Sequence, residues 1–116
     1  MWAVALGAAS MQLGMAATID DHTGCSLVVR IYDTRDLAGV RDVVTFIENT
    51  FEDLDQAHTS RGEPGIMAQL SDDGVQTMAA LAVGYCRDNP KATLYNGSAW
   101  AYRGTRAIQI EFGNAR

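Results

Sequence analysis

Charge is absent from the first seventeen residues of this 116-residue chain, and cysteine, proline and lysine are scarce throughout it. The chain has two cysteines, two prolines and a single lysine. Motifs that depend on the spacing of cysteine or glycine are also missing: there is no CxxC pair, no CxxCH haem-attachment site and no glycine-rich phosphate loop. Nothing therefore indicates a dithiol redox protein, a c-type cytochrome or a nucleotide-binding enzyme.

The uncharged N-terminal segment predicts an export signal. An apolar run of small residues leads to Gly14-Met15-Ala16, whose small first and third residues suit signal peptidase. The segment is too short and too interrupted by glycine to span a bilayer comfortably. We therefore predict a signal peptide over residues 1–16 and a single small domain, exported to the periplasm, over residues 17–116. Because a basic n-region is missing, an apolar N-terminal helix packed on the domain is the alternative.

The two cysteines, Cys25 and Cys86, stand 61 positions apart, and both follow the predicted signal. An even number of cysteines in an exported chain predicts one disulfide in an oxidising compartment. In a cytosolic chain the same two residues would more often be buried thiols.

The formal net charge of −5 conceals a division along the chain. Residues up to Cys86 include 4 basic and 12 acidic side chains, whereas residues 87–116 include 5 basic and 2 acidic ones. A mostly acidic chain of this kind argues against a general nucleic-acid binder. The division either stabilises the fold internally or marks a surface for a partner. The hydrophobic content of 47% excludes a disordered chain.

Apolar residues at alternating spacings of three and four predict a long amphipathic helix from Leu37 to Ala57, capped by Asp36. This apolar stripe comprises Leu37, Val40, Val44, Ile47, Phe51 and Leu54. A second helix is expected to open at Ser71, with two acidic residues in its first turn, and to place Cys86 in its last turn. A third helix is expected to start at Pro90 with Asn89 as its cap and to end near Gly104.

Two segments allow either secondary structure. Residues 26–32 are rich enough in β-branched side chains for a strand, and residues 107–112 alternate apolar and polar side chains. If both were strands, they could pair with each other. The balance of the sequence favours a mainly α fold: a small helical bundle with one disulfide, in which a short β-hairpin or extended terminal segments remain an alternative.

The run Gly84-Tyr85-Cys86-Arg87-Asp88-Asn89-Pro90, with an early cysteine and a long amphipathic helix before it, resembles the HdeA-like group of small periplasmic proteins. The resemblance implies an all-helical fold stapled by a Cys25–Cys86 disulfide. The best-known members of the group are acid-stress chaperones, and small periplasmic immunity proteins are structurally similar to them. The expected function is therefore that of a non-enzymatic periplasmic stress or client-binding protein. The alternative is a specific protein-binding module, such as an immunity or inhibitor protein against a secreted hydrolase.

A charged surface near the end of the long helix is the candidate site for a partner protein, since a charged face speeds association with an oppositely charged partner. The candidate partner-binding residues are Glu48, Glu52, Asp55, His58, Arg61 and Glu63. A merely solvated face is the alternative. The expected partner is a protein or an unfolded client, with a homodimer as a further option, and neither nucleic acid nor stable membrane insertion is expected.

No catalytic residue, metal ligand or cofactor is assigned. His22 and Cys25 lie three positions apart, which would suit an activated thiol, but a cysteine in a disulfide cannot act as a nucleophile. Asp20, Asp21 and His22 are three adjacent polar residues without the surrounding ligands that a metal cage requires.

The intact mass of the protein isolated from periplasmic extract tests the export and disulfide predictions together. We expect a chain cleaved near Ala16 and two hydrogens lighter than its reduced form. A full-length mass with both thiols free would contradict both predictions.

Overall fold

The computed structural model describes residues 18–113, which form four α-helices and one short 3₁₀ helix and contain no strand. The α-helices are α1 (Cys25–Asp33), α2 (Leu37–Thr59), α3 (Asp72–Asp88) and α4 (Leu94–Gly113), and the 3₁₀ helix (Met67–Gln69) lies between α2 and α3. The prediction of a mainly α-helical domain is confirmed. The predicted signal peptide lies outside the described residues.

The starts of α2 and α3 follow the sequence signals. The Asp36 carboxylate accepts a hydrogen bond from the backbone N–H of Gly39 at 3.0 Å, and the Ser71 hydroxyl accepts one from Gly74 at 3.1 Å. Each bond satisfies one of the backbone donors left free in the first helical turn. Both predicted caps are confirmed, and α2 extends two residues beyond the predicted end at Ala57.

The predicted start of the last helix at Pro90 is wrong, because Asn89 ends α3 instead of opening α4. Its backbone N–H donates to the carbonyl oxygen of Cys86 at 3.3 Å, and its side-chain amide donates to that of Tyr85 at 2.9 Å. The cap of α4 is Thr93, whose hydroxyl accepts from the backbone N–H of Asn96 at 3.1 Å. Helix α4 therefore begins at Leu94, four residues later than expected.

The predicted end of that helix at Gly104 is also wrong, because α4 continues to Gly113 and includes the strand-like alternation of residues 107–112. A Cβ atom added to Gly104 would meet no atom within 4 Å, so this glycine neither terminates the helix nor serves a close contact. Ile108 and Phe112 are 59% and 65% exposed, which leaves apolar surface on the last turns of α4. The other ambiguous segment, residues 26–32, is also helical and buries Val28 and Ile31.

A disulfide joins Cys25, in the first turn of α1, to Cys86, in the last turn of α3, with the two Cα atoms 4.7 Å apart. Both cysteines are fully buried. Closing a loop of this length is worth about 4 kcal/mol in the chain-entropy account of disulfide stability. A buried disulfide fits an oxidising extracellular or periplasmic location.

The core lies between the four helices and includes the disulfide. Its largest fully buried side chains are Tyr102, Phe51, Ile47, Ile66, Met78, Leu94, Val28 and Val43. Gly97 lets α4 pack closely on α3, since a Cβ atom there would lie 2.9 Å from the backbone oxygen of Ala82. Within residues 18–113 no helix has both the length and the apolar character needed to cross a membrane.

Two glycine substitutions in α4 should shift stability in opposite directions. Gly97→Ala should lower the free energy of unfolding by about 1–3 kcal/mol, because its methyl group forces the two helix backbones apart. Gly104→Ala should raise it by about 0.5–1 kcal/mol, because its side chain enters open space and alanine is the better helix former. Urea unfolding of both variants measures the difference, and two shifts of the same sign would contradict the close α3–α4 packing.

Candidate functional site

The six candidate partner-binding residues all lie on the second half of α2 or on the loop after it, but they do not form one surface. Glu52 is exposed as expected, whereas Glu48 is half-buried at the side of α2 that faces α3. Asp55 is buried, and the remaining three residues pair with one another. The structure thus divides the predicted surface into four separate environments.

The expected exposed position of Asp55 is wrong, because this residue is only 9% exposed. Its Oδ1 atom accepts hydrogen bonds from the Tyr102 hydroxyl at 2.6 Å and from the Ile66 N–H at 2.8 Å, and its Oδ2 atom accepts from the Met67 N–H at 3.2 Å. Asp55 follows the buried Phe51 by one helical turn, so its side chain lies at the edge of the apolar stripe. Three donors there compensate for the loss of water.

These contacts, which we call the Asp55 latch, connect α2 through Asp55 to the following loop through Ile66 and Met67 and to α4 through Tyr102. Gly65 allows the loop to fold this closely, since a Cβ atom there would lie 2.6 Å from the Asp55 Oδ2 atom. The loop also binds α4 directly: the guanidinium group of Arg106 donates to the carbonyl oxygen of Pro64 at 2.9 and 3.3 Å.

In the Asp55 latch, the charged carboxylate of Asp55 contacts the uncharged phenol of Tyr102. Burial raises the pKa of Asp55, but the hydrogen bonds from Tyr102 and the two backbone N–H groups, with the nearby His58, outweigh it and leave that pKa below its ordinary value. Burial, and then the hydrogen bond to the Asp55 carboxylate, raise the pKa of Tyr102. At neutral pH the aspartate is therefore charged and the tyrosine is protonated.

His58, Arg61 and Glu63 form a compact charge cluster at the end of α2. The Glu63 Oε1 atom lies 2.6 Å from the His58 Nδ1 atom and 3.0 Å from the Arg61 Nη2 atom. The hydrogen bonds from His58 and then from Arg61 lower the pKa of Glu63. The His58 ring stacks on Tyr102 with centroids 6.0 Å apart, so the cluster covers the latch from the solvent side.

A largely apolar groove, which the sequence did not reveal, lies between α2 and α3. Its cavity measures about 390 Å³. The residues lining this α2–α3 groove are Tyr32, Val44, Glu48, Gln76, Ala79, Ala80, Val83, Gly84 and Arg87. At one end Arg87 donates to Asp33 at 3.0 Å. The one sequence signal for the groove is the row of small residues at helical spacing, Ala80 and Gly84, on the open side of α3.

A second, more polar hollow of about 320 Å³ lies on the other side of the same row, next to α4. Its walls include Leu81, Tyr85 and Trp100, and the Tyr85 and Trp100 rings have centroids 5.4 Å apart. Trp100 is 51% exposed, whereas Tyr102 is fully buried. The aromatic residues of α4 are therefore divided between surface and core.

The residues considered for thiol and metal chemistry are not arranged for it. Cys25 is bonded to Cys86 and fully buried, and His22 is exposed on the turn before α1. Across residues 18–113, no group of three or more His, Cys, Asp or Glu side chains is placed to hold a metal ion.

No protein-family profile, curated protein or solved structure matches this chain. The resemblance to the HdeA-like group therefore rests on the residues of the chain itself.

The hydrogen bond from Tyr102 to Asp55 predicts how the free energy of unfolding depends on pH. Tyr102→Phe should lower the free energy of unfolding at neutral pH by about 1.5–3 kcal/mol, because it removes a hydrogen bond to a buried charge. The pKa of Asp55 is lower in the folded chain than its ordinary 3.8, so the charged group stabilises the fold fully above pH 3.8 and progressively less as the pH falls through the folded-state value. The cost of the substitution should shrink over that acid range.

Urea unfolding at a series of pH values measures this cost, and Tyr95→Phe, seven positions earlier on the same helix, is the matched control. An equal cost for Tyr102→Phe at neutral and at strongly acidic pH would contradict the charged latch.

Proposed function

We propose that this chain is a non-enzymatic client-binding protein of the periplasm that loosens in strong acid and then covers the apolar surfaces of unfolding proteins. The proposal agrees with the function implied by the resemblance to the HdeA-like group. It also requires a domain that changes its exposed surface at low pH without losing its overall connectivity.

The observation that carries the proposal is the buried Asp55 carboxylate, which connects α2, the loop and α4. Protonation of Asp55 removes the charge that its three donors stabilise. The loop containing Ile66 and the second half of α4 are then held to α2 less tightly. Behind them lie Phe51 and Tyr102, two large buried aromatic side chains that an unfolded client would contact.

The charge of the whole chain acts in the same direction. When all 14 side-chain carboxylates are protonated, the nine Lys and Arg side chains and the two His side chains leave a formal charge of about +11 in place of −5. Self-repulsion of this size in a small domain favours an expanded state with exposed apolar surface.

The disulfide limits the expansion. It joins α1 to α3 and makes no direct link to the Asp55 latch, so α1 and α3 remain connected when the latch opens. Two backbone hydrogen bonds beside it, from Cys25 to Ala92 and from Leu94 to Thr23, hold the start of α4 as well. In acid we therefore expect α1, α3 and the start of α4 to stay packed together, while the loop and the end of α4 separate from them.

Aggregation of a client enzyme in acid, with and without this protein, tests the proposal. We expect the wild-type protein to suppress aggregation at about pH 2–3 and to have no effect at neutral pH. Asp55→Asn imitates the neutral carboxyl group and should shift the onset of protection to higher pH. The exposed neighbour Asp53 gives the matched control, Asp53→Asn, which removes the same charge without touching the latch. Equal client aggregation with and without the wild-type protein would refute the proposal.

A second candidate function is specific binding of a folded partner protein at neutral pH, as an immunity or inhibitor protein would do. The open α2–α3 groove favours this candidate, because it is present in the folded state and needs no acid to form.

A further inference from the structure

The α2–α3 groove is a long apolar channel beside a row of small residues. Its floor consists of the side chains of Tyr32, Val44, Ala79, Ala80 and Val83 with Gly84. From Gln76 to Arg87 the wall formed by α3 is twelve residues long, and the distance between its ends is about 16 Å at the rise of an α-helix. The cavity volume of about 390 Å³ falls in the range of sites that bind ligands.

The open side of α3 has room for another backbone. A Cβ atom added to Gly84 would meet no atom within 4 Å, and Ala80, one turn earlier, is exposed. Side chains as small as these allow a helix to lie close to α3, while its apolar side chains enter the groove beside it. The α3 wall of the groove is about three turns long, and the residues of its floor are small and apolar. Grooves of this kind between two helices bind amphipathic helices.

The rim of the groove is acidic. Glu48 lines it, and Glu52 follows Glu48 by one turn on α2. On α3, Asp72 and Asp73 precede Gln76 by four and three residues and so continue the same face of the helix.

Basic residues are fewer on this rim. Arg87 is paired with Asp33, and Arg41 stands one turn before Val44. The groove lining itself holds one acidic residue, Glu48, and one basic residue, Arg87. Helical spacing adds three acidic residues and Arg41 around it, and both basic groups are near the Tyr32 end.

We infer that the α2–α3 groove is a docking site for a basic amphipathic helix of a partner protein. The apolar face of that helix fills the groove, and its Lys or Arg side chains pair with the acidic rim. The inference rests on the second candidate function, binding of a folded partner at neutral pH, and it names the partner's chemistry. The positions of the charges also give the complex a direction: the basic residues of the partner lie at the end marked by Glu48, Glu52 and Asp72.

Other occupants fit the groove less well. The acidic rim repels an anionic amphiphile such as a fatty acid. Helix α4 of a second copy carries Arg103 and Arg106 as well as Glu111, but Arg106 already donates to Pro64, and Glu111 is the charged residue beside the exposed Phe112. A cationic helix meets both the shape of the groove and its charge.

Binding of a labelled synthetic peptide to the full mature chain at neutral pH tests the inference. The probe is a Leu/Lys amphipathic peptide of about 16 residues, long enough to form a helix on the surface. A Leu/Glu peptide with the same apolar pattern is the comparison. We expect the Leu/Lys peptide to bind and the Leu/Glu peptide not to bind, and the affinity for the Leu/Lys peptide should fall as salt rises.

Matched variants then locate the site. Ala80→Trp fills the groove and should weaken binding by about tenfold or more, whereas Ala107→Trp, at an exposed position of α4, should leave it unchanged. Glu48→Gln should weaken binding by about two- to fivefold, and Glu111→Gln should not. If Ala80→Trp does not fold, the comparison of Glu48→Gln with Glu111→Gln still tests whether the peptide binds at the groove.

Three results would overturn the inference: no binding of the Leu/Lys peptide, equal binding of both peptides, or equal effects of the groove and control variants. A dimer that Ala80→Trp dissociates would assign the groove to a second copy and also overturn it.

Native mass spectrometry of the protein taken from its own periplasm tests the second candidate function separately. If Ala80→Trp still forms the neutral-pH complex, the second candidate function stands, and the groove is not the site where the partner binds. The absence of any complex, together with normal binding of the Leu/Lys peptide, would leave the groove inference standing and count against the function.

Discussion

The covalent bond between Cys25 and Cys86 is the constraint on which the rest of this domain depends. Helix α1 has only nine residues, too few to be stable alone in water, and the bond holds its first turn against the last turn of α3. The segments before α1 and α4 meet at the same point, where Cys25 and Leu94 donate backbone hydrogen bonds across it. Three of the four helices are thus fixed relative to one another by one small region of the core.

The second half of α2, the loop and the middle of α4 depend on a different kind of interaction. A buried carboxylate holds them together through three hydrogen bonds, and its contribution depends on pH in a way that a disulfide does not. The domain therefore has one junction that resists acid and another that weakens in acid. If the proposed client-binding function is correct, the separation of these two junctions determines which surfaces become accessible and which remain packed.

The helices and caps that can be predicted from the sequence are those whose stabilising interactions are local. The apolar stripe of α2 and the caps at Asp36 and Ser71 involve residues within a few positions of one another, so the periodicity and the capping residues predict them. Leu37, the first residue of the predicted stripe, is the exception, because it is 76% exposed. The start of α4 was misplaced because Asn89 and Thr93 both suit a cap. The pairing of Leu94 with Thr23, seventy-one positions away, fixes the backbone at that start.

The candidate site was harder to predict for the same reason. The spacing of Asp55 from Glu48 and Glu52 indicated an acidic face, and only the position one turn after Phe51 hinted at burial. One of the three donors to this carboxylate, Tyr102, is 47 residues further along the chain, and no local sequence pattern indicates it. The α2–α3 groove is lined by residues of three helices, including Tyr32 of α1, so it depends on how these helices pack rather than on a local pattern.

The placement of the disulfide also bears on proteolysis. Cys25 and Cys86 enclose all of α2 and the exposed loop that contains Arg61, Gly62 and Pro64. A protease that cuts this loop produces two fragments that the Cys25–Cys86 bond still joins, and the helices on either side of the cut keep their contacts. A domain joined in this way therefore remains one covalent molecule after a single cleavage in this loop.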